Sequence, residues 1–577
     1  RAPAGVTRLT AAIGVPGSLA VDTGPAAVLS PDGRTIVLCV RRDGTTRLYT
    51  RSLDQLEPVE LAGTEHATHP FFSPDGRQVG FFASGGLKTM PIAGGATTTV
   101  TDAATGRGAA WDPNGEILFQ PSLLPESPLL RVRATGGRTD RATTLAPNEG
   151  THRWPQVLTG GGVLYSGHAD VSNWDRATLR IQTTPGTPGK IVLRGGYHGR
   201  YVPTGHLLYV HAGTLYGARF DMQRLEVTSS PAPIIGRIAS THISGSAQFS
   251  LATDGTLAYI PGDAPSADSR IHWVTPRGET SMLATMPGAW GNPRFSPDGR
   301  YVALQVAYGS HDHIAVYDIE ANRVTQLTTD AANHAYPIWM PNSRDLFYSS
   351  DGGADGTTAL YLQRADGSGE PQRVIASRGR LVPGSVHPSG RFVVYSVTTA
   401  DAHSTIHVVP IAETPGKGWT AGTPRALDGG SDFEGLSALS PDGRLVAYMQ
   451  ISPRDAGAFG VYVRPLEGEG GPWRVSIGTG AHPVWSKTSR ELLFTTEDQI
   501  MTVPYAYDGR EFTYGTPRPW TSIRYVTAGP TRMYDLHPDG TRILAAGPHA
   551  GRPIVHDKVV FVLNFFDELA ALLPPGR

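Results

Sequence analysis

The chain is 577 residues long, enough for two or more domains with cores of their own, and 39% of it is hydrophobic, an ordinary soluble composition. Its 50 basic and 51 acidic residues leave a formal net charge of −1, with no basic footprint for nucleic acid and no like-charged run for a tail or a membrane patch. The single cysteine, Cys39, excludes an intrachain disulfide and cysteine-based metal sites, and no apolar run approaches the roughly 18–20 residues that span a bilayer.

One phrase recurs from end to end. Ser-Pro-Asp-Gly-Arg is complete at Ser30–Arg34, Ser73–Arg77, Ser296–Arg300 and Ser440–Arg444. Degenerate copies lie between these, with the last turn position at Gly33, Gly76, Gly115, Gly161, Gly205, Gly255, Gly299, Ser343, Gly390, Gly443, Ser489 and Gly540. Pro presets φ and Gly tolerates the exit geometry of a type I turn, so each copy is a hairpin signal. A short apolar run follows each one, in chain order Thr35–Leu38, Glu116–Phe119, Gly162–Tyr165, Leu207–Val210, Leu346–Tyr348, Phe392–Tyr395 and Glu491–Phe494. Such β-branched and aromatic runs read as strands buried on both faces. A second hairpin, as in Arg270–Thr285, His313–Asp330 and Leu360–Ser377, completes each unit.

A period of about 40–50 residues holding four short strands is one propeller blade. The expected fold is therefore all-β, with tandem β-propellers of about twelve four-stranded blades. Twelve exceeds the usual four to eight per ring, and two six-bladed rings are expected: 1–265, and 266–577 with a short C-terminal covering segment. The division falls near Pro261–Ser269, a stretch that also reads as a long loop; a seven-plus-five division is the alternative. The last repeat runs through Lys558–Phe566 into a helix-favouring segment, Asp567–Leu573, and lacks a fourth strand. The expectation is that Val6–Ile13 closes the first ring and the C-terminal segment covers the second. The start at Arg1, with no signal-like apolar region, reads as an excised or processed piece of something longer.

Catalytic motifs fail one by one. No serine has the Gly-x-Ser-x-Gly flanks of a hydrolase elbow, no His-Arg-Asp or magnesium-binding triplet marks a kinase, and His-Glu-x-x-His is absent. Gly186–Ile191 lacks the spacing of a phosphate loop, and Asp351–Gly356 lacks the closing Glu of a calcium loop. The recurring turn aspartates Asp32, Asp75, Asp298, Asp442 and Asp539 are what a repeated turn demands, not a catalytic group. No enzyme, cofactor or metal is expected.

A different pattern precedes the first strand of many repeats: His69-Pro70-Phe71, His152-Arg153-Trp154-Pro155, His198-Gly199-Arg200-Tyr201, Trp290-Gly291-Asn292-Pro293-Arg294, His334-Ala335-Tyr336-Pro337 and His482-Pro483. The link from one blade's outer strand to the next blade's inner strand gathers its residues at the mouth of the central channel. Convergent polar and aromatic groups at a concave mouth are a default binding site. The candidate ligand-binding residues are thus His69, His152, Arg153, His198, Arg200, Arg294, His334 and His482. The competing reading is that they pin inter-blade turns through backbone hydrogen bonds.

These repeats resemble the TolB-like, Pro-Asp variety of the WD-type repeat. Leu48–Gly95, the segment Arg153-Trp154-Pro155-Gln156 and the ending Val559–Leu569 resemble the extracytoplasmic propeller region of bacterial membrane-anchored serine/threonine protein kinases. Neither the kinase domain nor the span is in this sequence, so kinase activity carries over to none of its residues. The resemblance implies a periplasmic or extracellular location and a sensing or scaffolding role. The expected function is a non-enzymatic module engaging a protein, peptide or glycan at the channel mouths. The alternatives are a structural, self-associating envelope protein and a glycan- or peptide-processing enzyme with a loop-built site.

Overall fold

In a computed structural model, the described residues are 5–574 less 22–23, 43–44, 104–105, 122–126, 148, 169–173, 242–243, 263–267, 288–289, 309–310, 354–356, 400–402, 417, 428–432, 452–458, 497–498, 525–530 and 547–554. Each complete Ser-Pro-Asp-Gly-Arg turn is held by its own side chains. In the first copy the Ser30 hydroxyl donates to Asp32 Oδ1 at 2.6 Å, the Arg34 N–H donates to the same oxygen, and the Thr35 N–H donates to Ser30 Oγ. The Gly33 N–H closes the turn onto the Ser30 carbonyl, and Gly33 sits at φ 71, a left-handed conformation that L side chains resist. The copies at Ser73, Ser296 and Ser440 repeat the serine–aspartate bond at 2.6, 2.6 and 2.5 Å. In the first two copies, these bonds hold the Asp32 and Asp75 carboxyls below the usual range.

The strand after each turn is paired on both sides and buried. Phe392–Thr398 lies between Arg380–Val386 and Ser404–Thr414, and Glu491–Thr495 between Ala481–Trp485 and Gln499–Tyr507. Cys39 is buried in another such strand, its Sγ 3.2 Å from the Ala67 carbonyl. Among the described residues, twelve antiparallel sheets have four or five strands. The chain divides into two compact units, residues 1–266 with 528–530 and 554–577, and residues 267–527 with 531–553. Each unit holds six of the twelve sheets, so the division is six plus six.

Both units close into rings. In the second, the inner strands Trp290–Phe295, His334–Trp339, Arg380–Val386, Glu434–Leu439, Ala481–Trp485 and Tyr534–Leu536 each touch the next, and the last touches the first. Its closing blade runs Tyr534–Leu536, Ile543–Ala546, Asp268–Val274, Thr280–Pro287, pairing the end of the unit with its beginning. The first unit closes through Phe249–Leu251, Leu257–Tyr259, Lys558–Leu563 and Thr7–Ala12.

Two expectations are corrected here. The second ring is not a strand short, because the strands that begin it complete its last blade. The C-terminal segment does not belong to residues 266–577 as a unit: Lys558–Leu563 inserts between Thr7–Ala12 and Leu257–Tyr259 of the first. The helix Phe565–Leu572 follows it there, burying Phe565 and Leu569 in the core that also holds Trp174, Leu208 and Phe249. His206 Nε2 lies 3.0 Å from the Leu573 carbonyl and helps fix the helix end. The apolar alternation of Val559, Phe561 and Phe565 has its complement in the first unit's core, which is why the segment goes there. No helix among the described residues is long and apolar enough to cross a membrane.

Candidate functional site

The candidate residues lie within the inner strands themselves, not in links ahead of them. Seven inner strands share a bulge: the register slips by one residue, and the residue at the slip has φ between 49 and 56. These residues are His69, Trp154, His198, Asn292, Tyr336, Leu436 and His482. His and Asn are enriched among residues that accept this conformation. A proline follows five of them, at a bulge where its missing N–H leaves no ladder bond unmade. Part of the histidine pattern is therefore backbone geometry.

In the first unit these side chains pack against one another. His69 lies 5.5 Å from Trp154, Trp154 5.2 Å from His198, and His198 5.3 Å from Phe249, ring centre to ring centre. Arg153 and the Trp154 indole both donate to the Ser244 carbonyl at 3.0 Å, and Arg153 stacks over Trp174. Arg200 donates to the Trp154 and Gly199 carbonyls. His69, His152, Arg153 and His198 are all buried. Burial, then the nearby Arg200 charge, pushes the His198 pKa far down, so the ring is neutral.

The position two residues beyond the bulge, and its equivalent in the inner strands outside those seven, stitches blade to blade. Gln156 both accepts from and donates to the Tyr201 backbone, while Ser250, Ser385 and Asp535 accept the N–H of Leu29, Leu439 and Phe295 in the next blade. Arg200 and Arg294 occupy the same position and keep intermediate exposure, though desolvation pulls their pKa values down to about 10 and about 9. Side chains ringed by protein but reached by water, as in a narrow channel, behave this way. Arg294 shares its surroundings with Arg532, Asp535 and Tyr534. His482 Nδ1 lies 3.1 Å from the Thr495 hydroxyl, and its carbonyl accepts from Tyr534.

His334 has different company. Its Nε2 lies 2.7 Å from Asp330 Oδ1, which also accepts the Ala332 N–H. Burial works against the Asp330 charge, but these hydrogen bonds and the nearby histidines hold its carboxyl below the usual range. The His334 ring stands edge-on to Tyr348 and 6.1 Å from His313, and Tyr348 stacks on Tyr361 at 6.0 Å. Asp330, His334, Tyr348, Ser350, Tyr361 and Pro371 line a cavity of about 480 Å³. It opens at the end of the blade that carries the outer-to-inner link, opposite the Ser-Pro-Asp-Gly turns.

A buried counterpart exists in the first unit. His152 Nε2 lies 3.0 Å from Glu149, Arg180 pairs with the other Glu149 oxygen at 2.7 Å, and Tyr165 packs on the His152 ring. Desolvation lowers the His152 pKa despite the carboxylate beside it. Sequence reasoning singled out His152 and His334 but missed Glu149, Asp330, Tyr348, Tyr361 and the Arg532–Asp535 pair. Acidic residues three or four places before each histidine were the available signal. Among the described residues, no His, Cys, Asp and Glu group is arranged to hold a metal ion.

Residues 236–457 match the family model of the TolB beta propeller domain, and with the blades described above the chain carries TolB-like propeller repeats. Among solved structures, putative TolB from Agrobacterium tumefaciens is 16% identical, with 49% of this chain and 98% of that one covered and a TM-score of 0.36. TolB from Acinetobacter baumannii is 14% identical over 56% of this chain and 80% of that one, at a TM-score of 0.34. The tricorn protease is 13% identical over 95% of this chain and 64% of its own, at a TM-score of 0.28.

Proposed function

We propose that this chain is a non-enzymatic binding module of the bacterial cell envelope, periplasmic or extracellular, that engages a protein partner at the link-bearing face of its second unit. The observation that carries the reading is the open cavity at Asp330, His334 and Tyr361, on a ring whose inner strands are stitched blade to blade. A concave site with few polar groups on a rigid scaffold is the usual form of a binding pocket. Of the histidines that an enzyme would need as acid and base, His69, His152, His198 and His482 are no more than 3% exposed, and His334, equally buried at the cavity, has its Nε2 engaged by Asp330. The envelope location is supported by the resemblance to extracytoplasmic propeller regions and by the TolB-like repeats.

Ala331 is exposed on the cavity rim, so a bulky side chain there covers the opening without disturbing the core. Immobilised Ala331→Trp is expected to lose partners that the unchanged chain retains from envelope extract, with unaltered melting. Equal recovery of every partner by both proteins would remove the cavity from the binding face.

A further inference from the structure

The identity of the group held by the Asp330 cavity rests on the reading of that cavity as a contact site, and the first unit supplies the template. Strand register sets the correspondence. His152 stands opposite Gly167 and His334 opposite Ser350, with Tyr165 and Tyr348 each two residues earlier on the facing strand. Tyr165 is in turn paired with Arg180, and Tyr348 with Tyr361. The two niches therefore hold the same carboxylate, histidine and tyrosine, and differ at the fourth place.

The carboxylates are used alike. In the first unit Glu149 Oε2 faces His152 Nε2 at 3.0 Å and accepts the Ala146 N–H at 2.9 Å, while Oε1 pairs with the Arg180 guanidinium. In the second unit Asp330 Oδ1 takes the His334 ring nitrogen at 2.7 Å and the Ala332 N–H at 2.9 Å. Its Oδ2 has no hydrogen bond among the described residues. Tyr361 stands where the arginine would be, and its ring lies against Tyr348 at an interplanar angle of 13°, leaving the cavity in place of a guanidinium.

We propose that this cavity binds the guanidinium of an arginine side chain presented by a protein partner, in the place that Arg180 fills from within in the first unit. A planar guanidinium suits both walls, since it can donate to Asp330 Oδ2 and stack on the half-buried Tyr361 ring. The described lining residues include one carboxylate and no lysine or arginine, so their field favours a cation. Lysine would satisfy the charge but not the planar stacking.

The probe is acetyl-Gly-Arg-Gly-amide, titrated calorimetrically into the full chain beside its lysine and citrulline counterparts and a neutral oligosaccharide. The arginine probe is expected to saturate. Citrulline, which keeps the shape and loses the charge, should bind about ten-fold or more weaker, as should the arginine probe to Asp330→Asn. Tyr361→Arg, which supplies the group in cis, should abolish binding; if that variant folds poorly, Asp330→Asn carries the test, because Asp330 is exposed at the rim. Equal binding of the arginine and citrulline probes, or none up to about 10 mM, would overturn the assignment. So would saturation by the oligosaccharide that is lost in Asp330→Asn. Loss of partner capture by Ala331→Trp would survive either result, so failure of the arginine assignment is distinct from failure of the site.

Discussion

Removing Lys558–Arg577 is expected to unfold the first unit and spare the second. The deleted strand pairs on both sides, with Thr7–Ala12 and with Leu257–Tyr259, and Val559, Val562, Phe565 and Leu569 are at most 1% exposed. At roughly 1.5–3 kcal/mol for each such side chain, their loss removes about 6–12 kcal/mol, the size of a domain's entire stability. Leu257–Tyr259 would also become an open edge, which invites pairing with other chains. Limited proteolysis should then leave a resistant fragment beginning near residue 267, while hydrogen exchange in Thr35–Arg42 becomes fast. A truncated chain whose first six blades keep their protection would show that the segment is only a tail.

The second large effect is expected at Val394, wholly buried between two partner strands beside Ile406 and Val446. Val394→Asp places a carboxylate among the apolar side chains of Ile406, Val408, Leu427 and Val446, which costs about 4 kcal/mol or more. Leu493→Asp, in the core that contains Val274 and Ile543, should do the same. Both are read from denaturant midpoints in the full chain. Wild-type midpoints for either variant would contradict the strand register of these two blades.

What was legible in the sequence follows from how local each interaction is. Ser30, Asp32 and Gly33 bond to one another and to Arg34 and Thr35, so the turn is written in six consecutive residues and its repetition gives the blades. Closure is the opposite case. Thr7 faces Leu563 and Ile271 faces Ala546, and nothing near either residue names its partner, so the C-terminal strand was assigned to the wrong ring. The candidate site was half legible. His334 stood out beside Tyr336 and Pro337, but the cavity also needs Asp330 from a link and Tyr348 and Tyr361 from facing strands, where tyrosines look like core. The same pattern gave His69, His198 and His482, which sit at bulges and serve the packing. Burial does not separate those roles, since His334 and His69 are each 3% exposed; position does, because His334 lies two residues before the bulge at Tyr336 and borders the cavity.

The claim that the two units share one niche, filled by Arg180 in the first and open in the second, is tested most directly by a double-mutant cycle on Asp330→Asn and Tyr361→Arg, read as melting temperature without any ligand. If the niche is the same, the introduced guanidinium pairs with Asp330 as Arg180 pairs with Glu149. Asp330 is 68% exposed, so the coupling should be about 0.5–1 kcal/mol and should shrink in high salt. Additive effects of the two substitutions, with Tyr361→Arg equally tolerated beside the native carboxylate and beside the amide that replaces it, would contradict the claim.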